Sequence, residues 1–201
     1  MSAPADMKFA CACGSVSGVI EQATAAEGDY VVCHCADCRD LVRHFRQEER
    51  VLDPNGGTAL YQSRCARLRI HSGKDLLAGL HMTEGPTLRW YAKCCSTPLF
   101  NTYKNARIPY VTTVLANCDV TSQEKLGGPL GHLFLDQGTG DTSELKPLSM
   151  NRLMLRFMPR MLKDIVSGDR RRSELFDAET LDPIVVPHRL TDAEQRALGR
   201  L

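Results

Sequence analysis

The sequence predicts a mainly β protein with a helical C-terminal extension, α+β overall. Three observations predict it. Short apolar runs recur at roughly ten-residue spacing with turn residues between them, as in antiparallel β structure. Clear helical periodicity over more than two turns appears only late in the chain. The 201 residues are 43% hydrophobic, enough to bury one sizeable core without disulfides. The expected division is a β domain over 1–118 and a loop-rich, helical extension over 119–201.

The elements follow in order. Residues 7–35 read as short strands, with Val16, Gly18 and Ile20 in one run and 29–33 in another, punctuated by Gly28. Residues 37–46 have helical composition and place Leu41 and Phe45 on one face. Asp53-Pro54-Asn55-Gly56-Gly57 is a turn cluster. Strands are expected at 58–62, at 67–71 (where alternation turns Leu68 and Ile70 inward), and at 76–82, 87–92 and 110–115. Beyond residue 118, Gly127-Gly128-Pro129 and residues 137–141 are loop-rich. Residues 150–166 then carry Leu153, Met154, Phe157, Met161 and Ile165 at helical spacing, with Arg152, Arg156, Arg160 and Lys163 between them. That pattern suits a helix docked on the β core or on a second subunit; a membrane-surface helix is the sharper alternative. Pro159 should kink or divide it. A last short helix is expected over 192–198, where Thr191 and Glu194 form a capping box.

Charge selects no partner. With 25 basic and 24 acidic residues, no net field draws nucleic acid or an anionic membrane. No apolar run reaches the roughly 18 residues that span a bilayer. The N-terminus has no basic start followed by an apolar stretch, so no secretory signal is read and a cytoplasmic location is expected.

Nine cysteines are the unusual feature. In a reducing compartment they are not expected to form a disulfide framework. Cys65 and Cys118 stand alone and read as small core hydrophobes. The other seven fall in three clusters: Cys11-Ala12-Cys13-Gly14, Cys33-His34-Cys35-Ala36-Asp37-Cys38, and Cys94-Cys95-Ser96-Thr97-Pro98. Zinc takes about four thiolate or imidazole ligands, typically as close pairs from distant segments. A Cys-x-Cys step on an extended strand would send both sulfurs to one side, and Cys35-x-x-Cys38 leading into a helix turns two toward one centre. A redox dithiol at Cys35 and Cys38 is the competing reading, but it leaves Cys11, Cys13 and Cys33 unexplained.

Taken together, Cys11-x-Cys13-Gly14-x-Val16-x-Gly18, Cys33-His34-Cys35-x-x-Cys38-Arg39 and Arg89-Trp90-Tyr91-x-x-x-Cys95-Ser96-Thr97-Pro98-Leu99 resemble the glutathione-dependent formaldehyde-activating enzymes. The resemblance covers about residues 8–115. It implies a zinc-ribbon-like β-tent core and carbon–sulfur lyase chemistry. It further implies a structural zinc held by Cys11 and Cys13 with Cys95, and a second zinc with an open position held by Cys33, Cys35 and Cys38. Two departures stand out. The family's late Cys-x-x-Cys-Gly-Thr-Pro has Ala92 at its first position and Ser96 at its glycine. Cys94 is then the candidate fourth thiolate of the structural site, unless one of Cys94 and Cys95 faces the central cluster instead. After Cys38, the bulky and charged residues 40–45 replace a small, glycine-containing stretch, which implies a reshaped pocket.

Three thiolates on Zn²⁺ leave one position for water or a substrate thiol, which the ion would deprotonate. Addition of that sulfur to a small aldehyde, or the reverse cleavage, is the expected reaction. One or two zinc ions per chain are expected, with a small thiol or aldehyde as substrate. His34 and Asp37 are candidate proton carriers, against the plainer readings of His34 as a supporting or exposed group and Asp37 as a helix N-cap. Arg39 is the candidate to neutralise the thiolates or bind an acidic group. Arg89, Trp90 and Tyr91 read as structural. The alternative of a different class is a non-catalytic adaptor whose zinc is purely structural. A fourth thiolate from Cys94 or Cys65 closing the central cluster would favour it. The extension leaves room for a homodimer.

Overall fold

The computed structural model describes residues 6–201. Chain order is β1 (Met7–Ala10), β2 (Ser17–Ile20), β3 (Asp29–Cys33), α1 (Ala36–His44), α2 (Glu48–Val51), β4 (Thr58–Arg64), β5 (Leu68–Ser72), β6 (Leu77–His81), β7 (Thr87–Ala92), β8 (Thr97–Tyr103), β9 (Tyr110–Val114), α3 (Val120–Leu126), β10 (His132–Leu133), α4 (Met150–Ser167), β11 (His188–Arg189) and α5 (Asp192–Ala197). A small antiparallel sheet runs β1-β2-β5, and a large one runs β10-β3-β4-β9-β8-β7-β6-β11. The large sheet is antiparallel except at its two-residue edges, where β10 and β11 lie parallel to β3 and β6. The protein is mainly β with several helices, as the sequence predicts.

Alternation along the strands gives the large sheet two buried faces. Tyr61, Trp90, Phe100 and Val111 join Met7, Phe9, Ile20 and Leu68 of the small sheet in the main core. Phe9 meets Phe100 edge-on with ring centroids 5.0 Å apart. Cys65 and Cys118 lie in this core as expected, and burial raises both thiols. On the other face, Val31, Leu60, Val114 and Leu133 pack against Leu153 of α4, while Phe157 meets Tyr110 edge-on. Burying two such side chains stabilises the docking by about 3–6 kcal/mol.

Helix α4 starts at Ser149, whose hydroxyl accepts from the Arg152 amide, and ends at Gly168 in the left-handed conformation. It runs as one helix, so Pro159 does not divide it. Proline removes the donor for the Leu155 carbonyl, but both residues sit on the exposed face, where water can serve that carbonyl. Arg156 and Arg160 clamp the buried Asp29 at 2.7 and 2.5 Å, and buried Asp164 pairs with Arg64.

Three further features differ from expectation. Strand β8 is not predicted, because Pro98 sits within it; its missing N–H falls beside a bulge between Trp90 and Tyr91 of β7. Helix α3 occupies a segment for which the sequence suggests no element, capped by Asp119 accepting from the Ser122 amide and followed by Gly127 at φ 75°. The extension is not only helical: it supplies both edge strands of the large sheet, and Leu175, Phe176 and Leu181 enter the main core. The capping box is present, with the Glu194 carboxylate accepting from the Thr191 amide at 2.7 Å. No helix among the described residues is long and apolar enough to cross a membrane.

Candidate metal centres

The first centre gathers Cys11, Cys13, Cys94 and Cys95, whose sulfurs all lie within 4.8 Å of one another. Four separations are 3.6 Å (Cys11–Cys13), 3.9 Å (Cys11–Cys94), 3.4 Å (Cys13–Cys94) and 3.8 Å (Cys94–Cys95). Ligands about 2.3 Å from a tetrahedral ion lie about 3.8 Å apart, so the four sulfurs fit zinc. Cys11 and Cys13 sit on the turn after β1, not on an extended strand. That turn has Gly14 at φ 78° and is closed by the Gly14 amide donating to the Cys11 carbonyl at 2.9 Å. Cys94 and Cys95 lie on the turn between β7 and β8, and Ser96 beside them has φ 53°. The left-handed turn lets neighbouring cysteines face one point, which an extended strand forbids. Supporting bonds run from the Val16 amide to Cys11 Sγ at 3.2 Å and from the Ala12 amide to Thr97 Oγ1 at 3.0 Å. Hydrogen bonding with Ser15 lowers the exposed Cys13 thiol to about 6.

The second centre holds Cys33, Cys35 and Cys38. Cys33 Sγ lies 3.4 Å from Cys35 Sγ and 3.7 Å from Cys38 Sγ, again tetrahedral edges. Cys33 ends β3, Cys35 is the N-cap of α1, and Cys38 sits in its first turn, where the helix dipole favours thiolate. No side chain at Cys35 caps the helix; the Gln137 amide oxygen instead accepts from the Ala36 N–H at 2.9 Å. Hydrogen bonding with the Cys33 and Cys35 sulfurs, with help from Arg89, holds Cys38 well below the usual thiol range. Bonding to Cys35 and Cys38 pushes Cys33 up. The two centres therefore divide the cysteines four and three. Cys94 and Cys95 both belong to the first, Cys65 is in the core, and no fourth His, Cys, Asp or Glu joins the second among the described residues.

The second centre borders a cavity of about 480 Å³ between the large sheet and α4. Its floor is a ladder of polar side chains in register on four neighbouring strands: Gln62, Thr112, Asn101 and Arg89. Met150, Leu153, Met154 and Phe157 of α4 form the apolar roof. Arg89 is only 6% exposed. Its Nη1 donates to Cys38 Sγ at 3.4 Å, its Nη2 stands 4.0 Å from Asp37, and its Nε has no partner. Burial opposes its charge, but the Cys38 and Cys35 sulfurs raise its pKa. Asn101 Oδ1 is likewise buried without a partner. Tyr110 also lines the cavity, and burial pushes its hydroxyl up to about 12.

The three residues singled out as catalytic candidates part company here. Asp37 borders the cavity but is held by Arg200 at 2.7 Å, and it is the second helical residue rather than the N-cap. Arg39 donates to the Gln137 and His34 carbonyls at 2.7 and 3.5 Å, which pins a loop rather than the sulfurs. His34 is fully buried, lies outside the cavity and contacts His132. The cation beside the thiols is Arg89, which the sequence reading assigns to structure.

Residues 4–180 match DUF6151, a family of unknown function. The chain belongs to that family. The DUF6151 match spans both cysteine centres, the polar ladder and α4. No curated protein matches the chain. Among solved structures, the crystal structure of a Rhodobacter sphaeroides protein is similar at 18% identity, over 61% of this chain and 97% of the other, with a TM-score of 0.42. That likeness is too distant to extend to the centres.

Proposed function

We propose that this protein is a zinc-dependent carbon–sulfur lyase that makes or cleaves the adduct of a small thiol and a small aldehyde. The proposal includes the β-tent core and the two zinc roles that the motif resemblance to glutathione-dependent formaldehyde-activating enzymes implies. The observation that carries it is a three-cysteine centre, with no fourth thiolate, at the wall of a cavity whose buried Arg89 and Asn101 have unpartnered polar atoms. Cys11, Cys13, Cys94 and Cys95 would hold the structural ion, and Cys33, Cys35 and Cys38 the other. When bound there, zinc supplies a position that favours the deprotonated form of a thiol.

The chain's own groups set the rest. Arg89, itself buried, balances the negative charge of three thiolates at a position where an unpaired charge would be costly. Its free Nε and the Asn101 carbonyl orient polar atoms of the substrate along the sheet. Tyr110 stays protonated at neutral pH and can donate from its hydroxyl to the adduct oxygen. The apolar roof from Met150 to Phe157 limits the size of the aldehyde.

The test is exchange spectroscopy by NMR on formaldehyde mixed with a panel of small thiols and zinc-loaded protein. Faster exchange of the thiol adduct for at least one thiol, lost in Cys35→Ser, is expected. No acceleration with any thiol, from protein carrying metal at both centres, would refute the reading in favour of a purely structural role.

A further inference from the structure

One group of metal-binding side chains lies outside both cysteine centres. His34, Asp53 and His132 bring one donor atom each within 4.8 Å of one another. We infer that they form a third metal site, with two imidazoles and one carboxylate, for a six-coordinate first-row divalent transition ion such as nickel or cobalt. The inference does not depend on the lyase reading.

Four features of the geometry point to it. First, His34 stands between Cys33 and Cys35, and alternation turns its ring to the opposite side of the segment from their sulfurs. One short stretch thus presents donors to two positions, sulfur on one side and nitrogen on the other. Second, the His34 ring is oriented in the way metal-bound histidines are. Its Nδ1 lies 3.2 Å from the Asn55 carbonyl, to which it donates, so the Nε2 lone pair is the one turned toward His132. Third, Asp53 is fixed by its own turn. Its Oδ1 accepts from the Asn55 and Gly57 amides at 2.9 and 2.7 Å, and the carboxylate still faces the imidazoles. Fourth, residue 57 must be glycine for the group to fit. A β-carbon there would lie 2.6 Å from both Asp53 Oδ2 and the His34 ring.

The spacing also fits an ion. His34 Nε2 and His132 Nδ1 are 3.0 Å apart. Two nitrogens about 2.1 Å from one ion and at right angles to each other would be about 3.0 Å apart. Two nitrogen donors and one oxygen favour a first-row transition ion over magnesium or calcium, which prefer oxygen alone. His34 is fully buried while Asp53 and His132 are half-buried, so the remaining coordination positions face outward. An ion there would tie the end of β3 to the 53–57 turn and to β10.

The alternative is a plain hydrogen bond between the two imidazoles, and cobalt separates the two. Full-length protein is stripped of metal under reducing conditions and titrated with Co²⁺, following bound equivalents and the absorption spectrum. Three equivalents are expected in the wild type. Two should carry sulfur-to-cobalt charge-transfer bands and one only weak visible bands. His132→Gln and Asp53→Asn should each lose the weak-band equivalent and keep the two sulfur-bound ones. A wild type with no weak-band equivalent, or one retained in both variants, overturns the site. If either variant fails to fold, cadmium-113 NMR of the wild type decides: a resonance in the nitrogen and oxygen range supports the site, and its absence refutes it.

Discussion

Replacing Arg89 with methionine should weaken metal binding at the three-cysteine centre and leave the four-cysteine centre untouched. The guanidinium lies 3.4 Å from Cys38 Sγ and is almost wholly buried. Two opposite unit charges about 4 Å apart attract by about 4 kcal/mol at an effective dielectric of about 20. Part of that is offset, since methionine needs no desolvation of a buried cation. A net loss of about 2 kcal/mol remains, or a roughly thirtyfold weaker affinity. Co²⁺ titration read at the sulfur charge-transfer bands resolves the two cysteine centres within one sample. The four-cysteine centre, remote from Arg89, serves as the control for folding. Equal affinities at the three-cysteine centre in wild type and Arg89→Met, with the control centre filled, would refute the assignment of Arg89 as its balancing charge.

Cys13→Ser should lower folded yield more than Cys38→Ser, because the first centre ties the β1–β2 turn to the β7–β8 turn; equal soluble yields would count against separate structural and cavity roles. Phe157→Ala should cost about 3–5 kcal/mol in urea denaturation, since the ring is fully buried against Tyr110; a loss under about 1 kcal/mol would mean α4 is loosely docked. Asp164→Asn should cost about 3–5 kcal/mol by leaving buried Arg64 short of charge. A neutral result would show Asp169, 2.9 Å from Arg64, to be sufficient alone.

Most central strands, the capping box and the partition of the cysteines into core and clusters are legible because each is written in local pattern. Thr87–Ala92 sets Leu88, Trp90 and Ala92 two apart, and no distant contact is needed to read it as a strand. What that alternation could not show is which face Arg89 would meet. Leu88 and Trp90 point into the main core, so Arg89 reads as solvent-facing or structural. It becomes a site residue only because α4, some sixty positions later in the chain, roofs that face. Gln62, Asn101 and Thr112 were missed for the same reason: polar residues alternating with apolar ones look like the wet side of a sheet. His34 is the opposite case. Its place between two cysteines suggests a proton carrier or a supporting group, and alternation turns it to the far side, toward a histidine 98 positions away.

The same roofing argues that 1–118 does not fold alone, despite holding all the cysteines. A chain ending at 118 would lose Leu153 and Phe157 from one face of the large sheet and Leu175, Phe176 and Leu181 from the other, all of them buried. At about 1.5–3 kcal/mol each, their burial contributes about 7–15 kcal/mol, comparable to the whole stability of a typical domain. Removal would also expose the polar ladder to water and strip β3 and β6 of their parallel edge partners. The fragment, expressed with zinc present, should be insoluble or should unfold without a cooperative transition, followed by circular dichroism. A soluble 1–118 fragment that melts cooperatively and keeps two equivalents of metal would show instead that the sheets are self-sufficient, and that the extension is an addition to a complete fold.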